Sequence, residues 1–273
     1  MAERSVLSRR LVVASAAACA ILFTNLVTNL AAAQQAGPAG TRLPIIPVGP
    51  APREGLYAAA DDVEFMVDHR TGQPRLRFVD ADEIFYLTSE PAMAGGRILK
   101  VDTGETAIAV SPWGGVTLYS RQTPNGVPAE RGGEASGFEL RPVPAKDIKL
   151  FAARLSQRLA DRQSLAIGFA SDWVALERDA ALRGLAADAM RNATFALETL
   201  AASRATRAML VGRLHAVRVA AATAKSATLQ NDVLVVTFEP QGGPASRPSS
   251  LAIALAIEAR LSASAGNSGA VIP

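Results

Sequence analysis

Glycine- and proline-containing turns divide the stretch from Asp61 to Ser120 into short apolar runs, and this spacing constrains the fold most strongly. Turn signals such as Thr71-Gly72 and Asp102-Thr103-Gly104 recur about every 8–14 residues, whereas a parallel crossover needs a dozen or more residues and usually a helix. The spacing therefore predicts an antiparallel meander or a strongly curled sheet. Its six strands are expected near Val63–Val67, Leu76–Phe78, Ile84–Leu87, Ile98–Val101, Ala107–Val110 and Val116–Tyr119.

Apolar residues at three- and four-residue steps predict helices in the second half of the chain. The first helix begins near Asp147, whose carboxylate can cap the first turn, and ends at about Arg162. Ser171 or Asp172 caps a longer second helix, and a shorter helix spans Arg204 to about Val211. Strand character then returns in a late β-hairpin formed by residues 215–221 and 232–239. Residues 251–261 fit either a helix or a strand, because their large apolar residues alternate with Ala and Glu.

These patterns predict an α+β protein, in which a short antiparallel meander or curled sheet precedes a helical segment and the late β-hairpin. The single domain is expected to span residues 56–261, after a tether rich in proline and glycine at 34–55. Within the domain we expect a β-rich part at 56–121, a loop at 121–146, a helical part at 147–213 and the hairpin at 214–240. Residues 262–273 are expected to form a disordered tail.

The N-terminus has the pattern of a secretory signal peptide over residues 1–33. Three arginines precede an uncharged run from Leu11 to Phe23, and Ala31 and Ala33 suit the small-residue subsites of a signal peptidase. The apolar run is too short to cross a bilayer of about 30 Å. Cleavage after Ala33 is therefore favoured over an uncleaved anchor. Ser8-Arg9-Arg10-Leu11 partly resembles the twin-arginine motif, so the general secretory and twin-arginine routes both stay open.

Cleavage would place the protein in the periplasm or outside the cell, without a mature transmembrane segment. Residues 1–33 carry three of the 28 basic and one of the 25 acidic residues, so the net charge falls from +3 to +1. A nearly neutral surface lacks the positive field on which nucleic-acid binding depends, so no nucleic-acid partner is expected. The only cysteine, Cys19, leaves with the leader. The mature core must therefore be stable without disulfides.

The remaining sequence predicts no metal, no cofactor and no catalytic residue. His69 and His215 are the only histidines, and neither a zinc site nor a serine–histidine system is expected from two isolated imidazoles. Asp80, Asp82 and Glu83 form the densest acidic cluster. Paired carboxylates can act as acid and base on a glycan, but a polar turn between two strands is the favoured interpretation.

One group of charged residues lies along a single face of a predicted helix. Arg154, Arg158 and Arg162 follow one another at four-residue steps on the first predicted helix, and like charges at that spacing repel. A solvated helix face is the favoured interpretation, and an anionic ligand such as a lipid headgroup or an acidic glycan is the functional one. These three arginines are the candidate ligand-binding residues.

Five short segments are distinctive: Tyr86-Leu87-Thr88, Gly95-Gly96-Arg97-Ile98-Leu99, Asp102-Thr103-Gly104-Glu105, Gly114-Gly115-Val116-Thr117-Leu118-Tyr119 and Arg247-Pro248-Ser249-Ser250. With these segments the chain resembles, over about residues 61–250, a family of exported alphaproteobacterial proteins of unknown function. The resemblance implies export but assigns no activity. Together with the leader, it favours a non-enzymatic binding protein of the periplasm or envelope, with an unknown envelope partner or an anionic ligand. The alternative is a hydrolase that uses carboxylates on a cell-wall glycan.

Overall fold

A computed structural model describes residues 49–60, 62–139 and 142–267. The predicted signal peptide, the predicted cleavage residues Ala31 and Ala33, and the part of the predicted tether before residue 49 lie outside the described residues. The last six residues of the expected tail, 268–273, lie outside them as well.

Between residues 49 and 139, the described part of the N-terminal half forms one antiparallel sheet of nine strands, in the order β4-β3-β2-β1-β9-β8-β7-β6-β5. All of its strand pairs are antiparallel, as the turn spacing predicts. The strands are β1 (Gly55–Ala59), β2 (Glu64–Asp68), β3 (Arg75–Phe78), β4 (Phe85–Tyr86), β5 (Thr88–Pro91), β6 (Arg97–Lys100), β7 (Thr106–Val110), β8 (Val116–Leu118) and β9 (Val127–Gly133).

This sheet curls so far that its two edge strands belong to one continuous segment of the chain. The edge strands β4 and β5 are separated only by Leu87. β4 pairs with β3 on one side and β5 pairs with β6 on the other. The segment 85–91 therefore joins both edges, and the sheet is a nearly closed barrel. Its core includes the fully buried side chains of Phe65, Leu76, Leu99 and Ile108.

The antiparallel register gives the barrel two distinct ends. The turn end carries the β2–β3, β5–β6 and β7–β8 turns, and the helix end carries the β3–β4, β6–β7 and β8–β9 connections. The second half of the chain meets the barrel at the helix end, where Ser249 and Ser250 bond to residues of the β6–β7 and β3–β4 connections.

The second half packs helices on a small mixed sheet. The helices are α1 (Ile148–Gln163), α2 (Trp173–Arg178), α3 (Ala180–Ala201), α4 (Arg204–Arg213) and α5 (Ser250–Asn267). The strands β10 (Gly168–Ala170), β11 (Ala216–Ala221), β12 (Ser226–Gln230) and β13 (Val233–Phe238) lie in the order β10-β11-β13-β12. α3 contacts α1, α5 and β11, and its buried face is rich in small residues, including Ala186, Ala189 and Ala193, which permits close packing. The protein is thus α+β overall.

Two predictions about strands are wrong. The expected loop at 121–146 contains β9, which lies between β1 and β8 in the sheet; Pro128 and the pair Gly132-Gly133 hide its strand character. The two strands expected to form the late hairpin, β11 and β13, lie side by side but run parallel. The antiparallel partner of β13 is β12, which the sequence pattern did not indicate because its apolar content is low.

The helices differ from expectation at their ends. Asp147 does not cap α1 with its side chain, because its own backbone is already helical at the end of a short 3₁₀ turn. The expected long helix divides at Asp179, whose extended backbone ends α2 and whose carboxylate accepts bonds from Ala181 and Leu182 at the start of α3. Residues 251–261 are helical, and α5 continues to Asn267, within the segment predicted to be a disordered tail.

Candidate functional site

The first turn of α5 binds two carboxylates from the helix end of the barrel. Ser249 donates from its backbone N to Asp102 Oδ2 at 2.8 Å and from its hydroxyl to Asp102 Oδ1 at 2.6 Å. Ser250 donates from its backbone N to Glu83 Oε1 at 2.7 Å, and its hydroxyl bonds to Glu83 Oε2. Carboxylates at a helix N-terminus satisfy free amide groups and interact favourably with the helix dipole. These bonds fix α5 on the barrel.

Arg247 anchors the segment just before this turn. Its side chain is only 2% exposed; Nε bonds to Asp188 of α3, and Nη2 donates to the carbonyl oxygen of Ile84 at 3.0 Å. The guanidinium also lies 5.3 Å from the centre of the Tyr86 ring, a cation–π contact. One buried arginine thus ties α5, α3 and the barrel together.

Asn192 completes the attachment from α3. Its side-chain nitrogen donates to the carbonyl oxygen of Pro248 at 2.9 Å, and the side chain is fully buried. A buried hydrogen bond of this kind is costly to break, because the group that loses its partner stays buried away from water. The segment 247–250 is therefore held by contacts from both halves of the protein.

Glu83 is the carboxylate most affected by this environment. Its pKa is raised to about 7, chiefly because burial disfavours the charged form, although the two bonds from Ser250 and the charge of Arg247 act in the opposite direction. Burial likewise lowers the pKa of Arg247. Glu83 is only 4% exposed, so its protonation is coupled to the seating of α5.

A cavity of about 900 Å³ lies between the barrel and α5. Most of its surface is apolar, and its volume falls in the range of small-molecule sites. The barrel strands β3, β4, β6 and β7 supply the apolar wall, and the first turns of α5 lie over part of it. Its apolar lining includes Leu76, Phe78, Phe85, Ile98, Val101, Ala107, Ala109, Leu251 and Ala254.

Polar side chains line another part of the cavity. They come from the β6–β7 and β8–β9 connections and from the end of α3: Glu105, Thr106, Ser120, Arg121, Gln122 and Thr199. Arg121 Nη1 lies 3.4 Å from Glu258 Oε1 on α5, and both side chains are partly exposed. An ion pair of this kind is weak, so an anionic group in the cavity can compete with Glu258 for Arg121.

The three arginines predicted as a ligand site do not share one environment. Arg158 forms a bidentate pair with Glu198 of α3, with both N–O distances at 2.6 Å, and its guanidinium stacks on Phe195. Arg154 and Arg162 are exposed on α1. Glu198 relieves the repulsion within the row, and an anion bound by all three would have to draw Arg158 from Glu198. Their role in binding an anion stays a prediction.

The acidic cluster is also divided. Asp80 is exposed, and Asp82 is largely exposed beside Arg77 at 3.4 Å, whereas Glu83 turns inward to Ser250. The facing pair of carboxylates that glycan hydrolysis requires is therefore not formed among these three residues. His69 lies in the β2–β3 turn with Nε2 at 3.7 Å from Glu54, and His215 is exposed ahead of β11. No group of three metal-ligating side chains occurs within the described residues.

The residues that fasten α5 were difficult to identify from the sequence. Ser249-Ser250 ahead of an apolar run indicates a possible helix start, and Glu83 and Asp102 read as turn residues. Their partners lie 167 and 147 positions away, so no local spacing connects them. The cavity has no motif because it is formed by ordinary core residue types.

A family model described as a domain of unknown function, DUF4908, matches residues 46–257. The chain belongs to this family. The DUF4908 match covers both sheets, the cavity and every residue that fastens the start of α5. No curated protein and no solved structure shows significant similarity to the chain. The predicted membership of a family of unknown function is thus confirmed, while the export and the bacterial group of this DUF4908 protein stay predictions.

Proposed function

We propose that the protein is an exported, non-enzymatic binding protein that holds a small amphipathic molecule in the cavity between the barrel and α5. The cavity carries the proposal: about 900 Å³, a mainly apolar wall, and a polar region that includes Arg121. An apolar wall with a few placed polar groups is typical of ligand sites. An acyl chain ending in a carboxylate has the matching chemistry, with the chain against the apolar wall and the carboxylate near Arg121.

The residues that fasten α5 support binding rather than catalysis. The oxygens of Glu83 and Asp102 are engaged by Ser250 and Ser249, so these carboxylates hold the cover of the cavity in place. The periplasmic or secreted location rests on the signal-peptide pattern of residues 1–33. The proposal joins these two lines of argument, and each can be tested separately.

The cavity is tested by filling it. Ala109→Phe places a ring in the apolar wall, whereas Ala208→Phe adds the same ring to an exposed position of α4. Two measurements apply: extraction of a bound amphipathic molecule from protein purified from cells, and calorimetry of dodecanoate binding. We expect at least one of them to be positive for both the unsubstituted protein and Ala208→Phe. Ala109→Phe should lose at least tenfold in affinity. Equal binding by both variants, with both folded by circular dichroism, would refute the cavity as the site.

A further inference from the structure

Two large apolar side chains stand almost fully exposed at the turn end of the barrel. Met93 in the β5–β6 turn is 94% exposed, and Trp113 in the β7–β8 turn is 87% exposed. Apolar residues scattered singly over a surface are ordinary, but neighbouring ones indicate an interaction site. Met93 and Trp113 therefore indicate an interaction site only if they lie close together.

The sheet register places them side by side. Pro91 pairs with Arg97 at the foot of the first turn, and Val110 pairs with Val116 at the foot of the second. Arg97 itself pairs with Val110. Because neighbouring strands lie about 4.8 Å apart, the centres of the two turns are about 10 Å apart. Both side chains thus project from one end of the barrel.

This end is opposite the layer of helices and beside the point where the chain enters the domain. The bonds that hold α5 involve the helix end, through Glu83 and Asp102. At the turn end, Arg97 Nε donates to the carbonyl oxygen of Gly49 at 3.0 Å. Before the predicted cleavage after Ala33, the apolar run at 11–23 is therefore joined, through residues 24–48, to the end that presents Met93 and Trp113.

We propose that the turn end docks on the surface of a lipid bilayer, with Trp113 and Met93 inserted into the headgroup layer. Two projecting turn tips cannot bury the roughly 800 Å² per partner that a stable protein interface requires. They do suit a soft lipid surface, and an indole ring is favoured at the boundary between headgroups and acyl chains. The chain also enters the domain at this end, and the contact does not depend on the cavity's ligand.

The contact is measured by flotation with vesicles of phosphatidylcholine and phosphatidylglycerol, using the protein in the form that cells accumulate. Trp113→Ala should lower the bound fraction about tenfold, and Met93→Ser should lower it by a smaller factor. Met209→Ser is the matched control, since Met209 is 41% exposed on α4, and it should bind like the parent. All variants keep the same N-terminus, so the contribution of any leader is equal among them.

A spectroscopic measurement locates the indole directly. The sequence has two tryptophans, and a Trp173→Phe background leaves Trp113 as the only one. We expect vesicles to shift its emission to shorter wavelength and brominated lipids to quench it. The proposal is overturned if vesicles leave this emission unchanged or if Trp113→Ala floats like Met209→Ser. Self-association without vesicles that Trp113→Ala abolishes would assign the patch to a second copy of the chain instead.

Discussion

Arg247 and Asp188 form a buried ion pair between the segment that leads into α5 and the middle of α3, with side chains that are 2% and 5% exposed. Removing Arg247 leaves Asp188 with only the longer contact to Arg191 Nη1, at 3.7 Å, and takes the donor from the Ile84 carbonyl. This is far more costly than losing an exposed pair. The pair therefore makes the attachment of α5 sensitive to single substitutions.

Arg247→Met should lower the free energy of unfolding by about 3–5 kcal/mol, because Asp188 and the Ile84 carbonyl lose their donor. Urea unfolding followed by circular dichroism measures the change. Lys149→Met, which breaks the exposed pair with Glu177, should cost less than about 1 kcal/mol. The double variant Arg247→Met/Asp188→Leu should recover part of the loss, and additive losses would contradict the coupling.

Glu83→Gln should change how stability depends on pH. The pKa of Glu83 is about 7 in the folded protein and near 4.5 when exposed. Between these values the folded protein holds a proton that the unfolded chain has released. The contribution of Glu83 is therefore greatest below pH 4.5 and declines, by up to about 3 kcal/mol, as the pH rises to 7. This decline should be absent in Glu83→Gln.

The measurement is urea unfolding at half-unit steps from pH 4.5 to 8. Asp82→Asn serves as the control, since Asp82 is the exposed neighbour of Glu83, with 78% of its side chain accessible, and the variant should keep the decline of the parent. Parallel profiles for the parent and Glu83→Gln would show that burial of Glu83 does not govern the pH dependence.

Arg121→Gln should show how much of the binding depends on the charge of the proposed ligand and how much on its apolar part. Binding of dodecanoate should weaken about tenfold, whereas binding of uncharged dodecanol should stay within a factor of two. Glu258→Gln should strengthen dodecanoate binding severalfold, because it removes the competitor 3.4 Å from Arg121. Isothermal titration measures both ligands, and equal losses for both in Arg121→Gln would argue against a carboxylate at this position.

The processed protein should begin at Gln34. N-terminal sequencing of the protein from fractionated cells tests this, and Ala33→Phe should block processing because a ring does not fit the small-residue subsite. Ala36→Phe, three residues beyond the expected cut, should be processed normally. Recovery of soluble, full-length protein that retains Met1 would contradict the proposed export.

Local sequence predicted much of the barrel because its strands are punctuated by turns. The runs around Phe65, Leu76, Leu99 and Ile108 were found, since their side chains alternate or cluster between glycine-containing turns. β9 was missed because Pro128 and two glycines resemble a loop. Its strand structure comes from pairing with β8, the strand just before it, and with β1, which is distant in sequence.

The parallel pairing of β11 with β13 could not be read from their sequences either. Two apolar runs separated by about ten residues favour a hairpin, but β12 occupies the intervening chain and pairs on the far side of β13. The candidate site was even harder to predict from the sequence. Arg247 bonds to the Ile84 carbonyl 163 positions away, and local propensity carries no information about such a contact.

The long reach of these bonds also sets an order for folding. Every strand of the barrel precedes residue 134, but the partners of Glu83 and Asp102 are supplied by residues 249 and 250. Contacts of such large sequence separation form late and slowly. If the chain crosses a membrane N-terminus first, its barrel emerges before residues 249 and 250, and only then can α5 reach the cavity. Until then the apolar wall would be open to whatever hydrophobic molecules are nearby, so the moment of closure is also an opportunity for cargo to be captured.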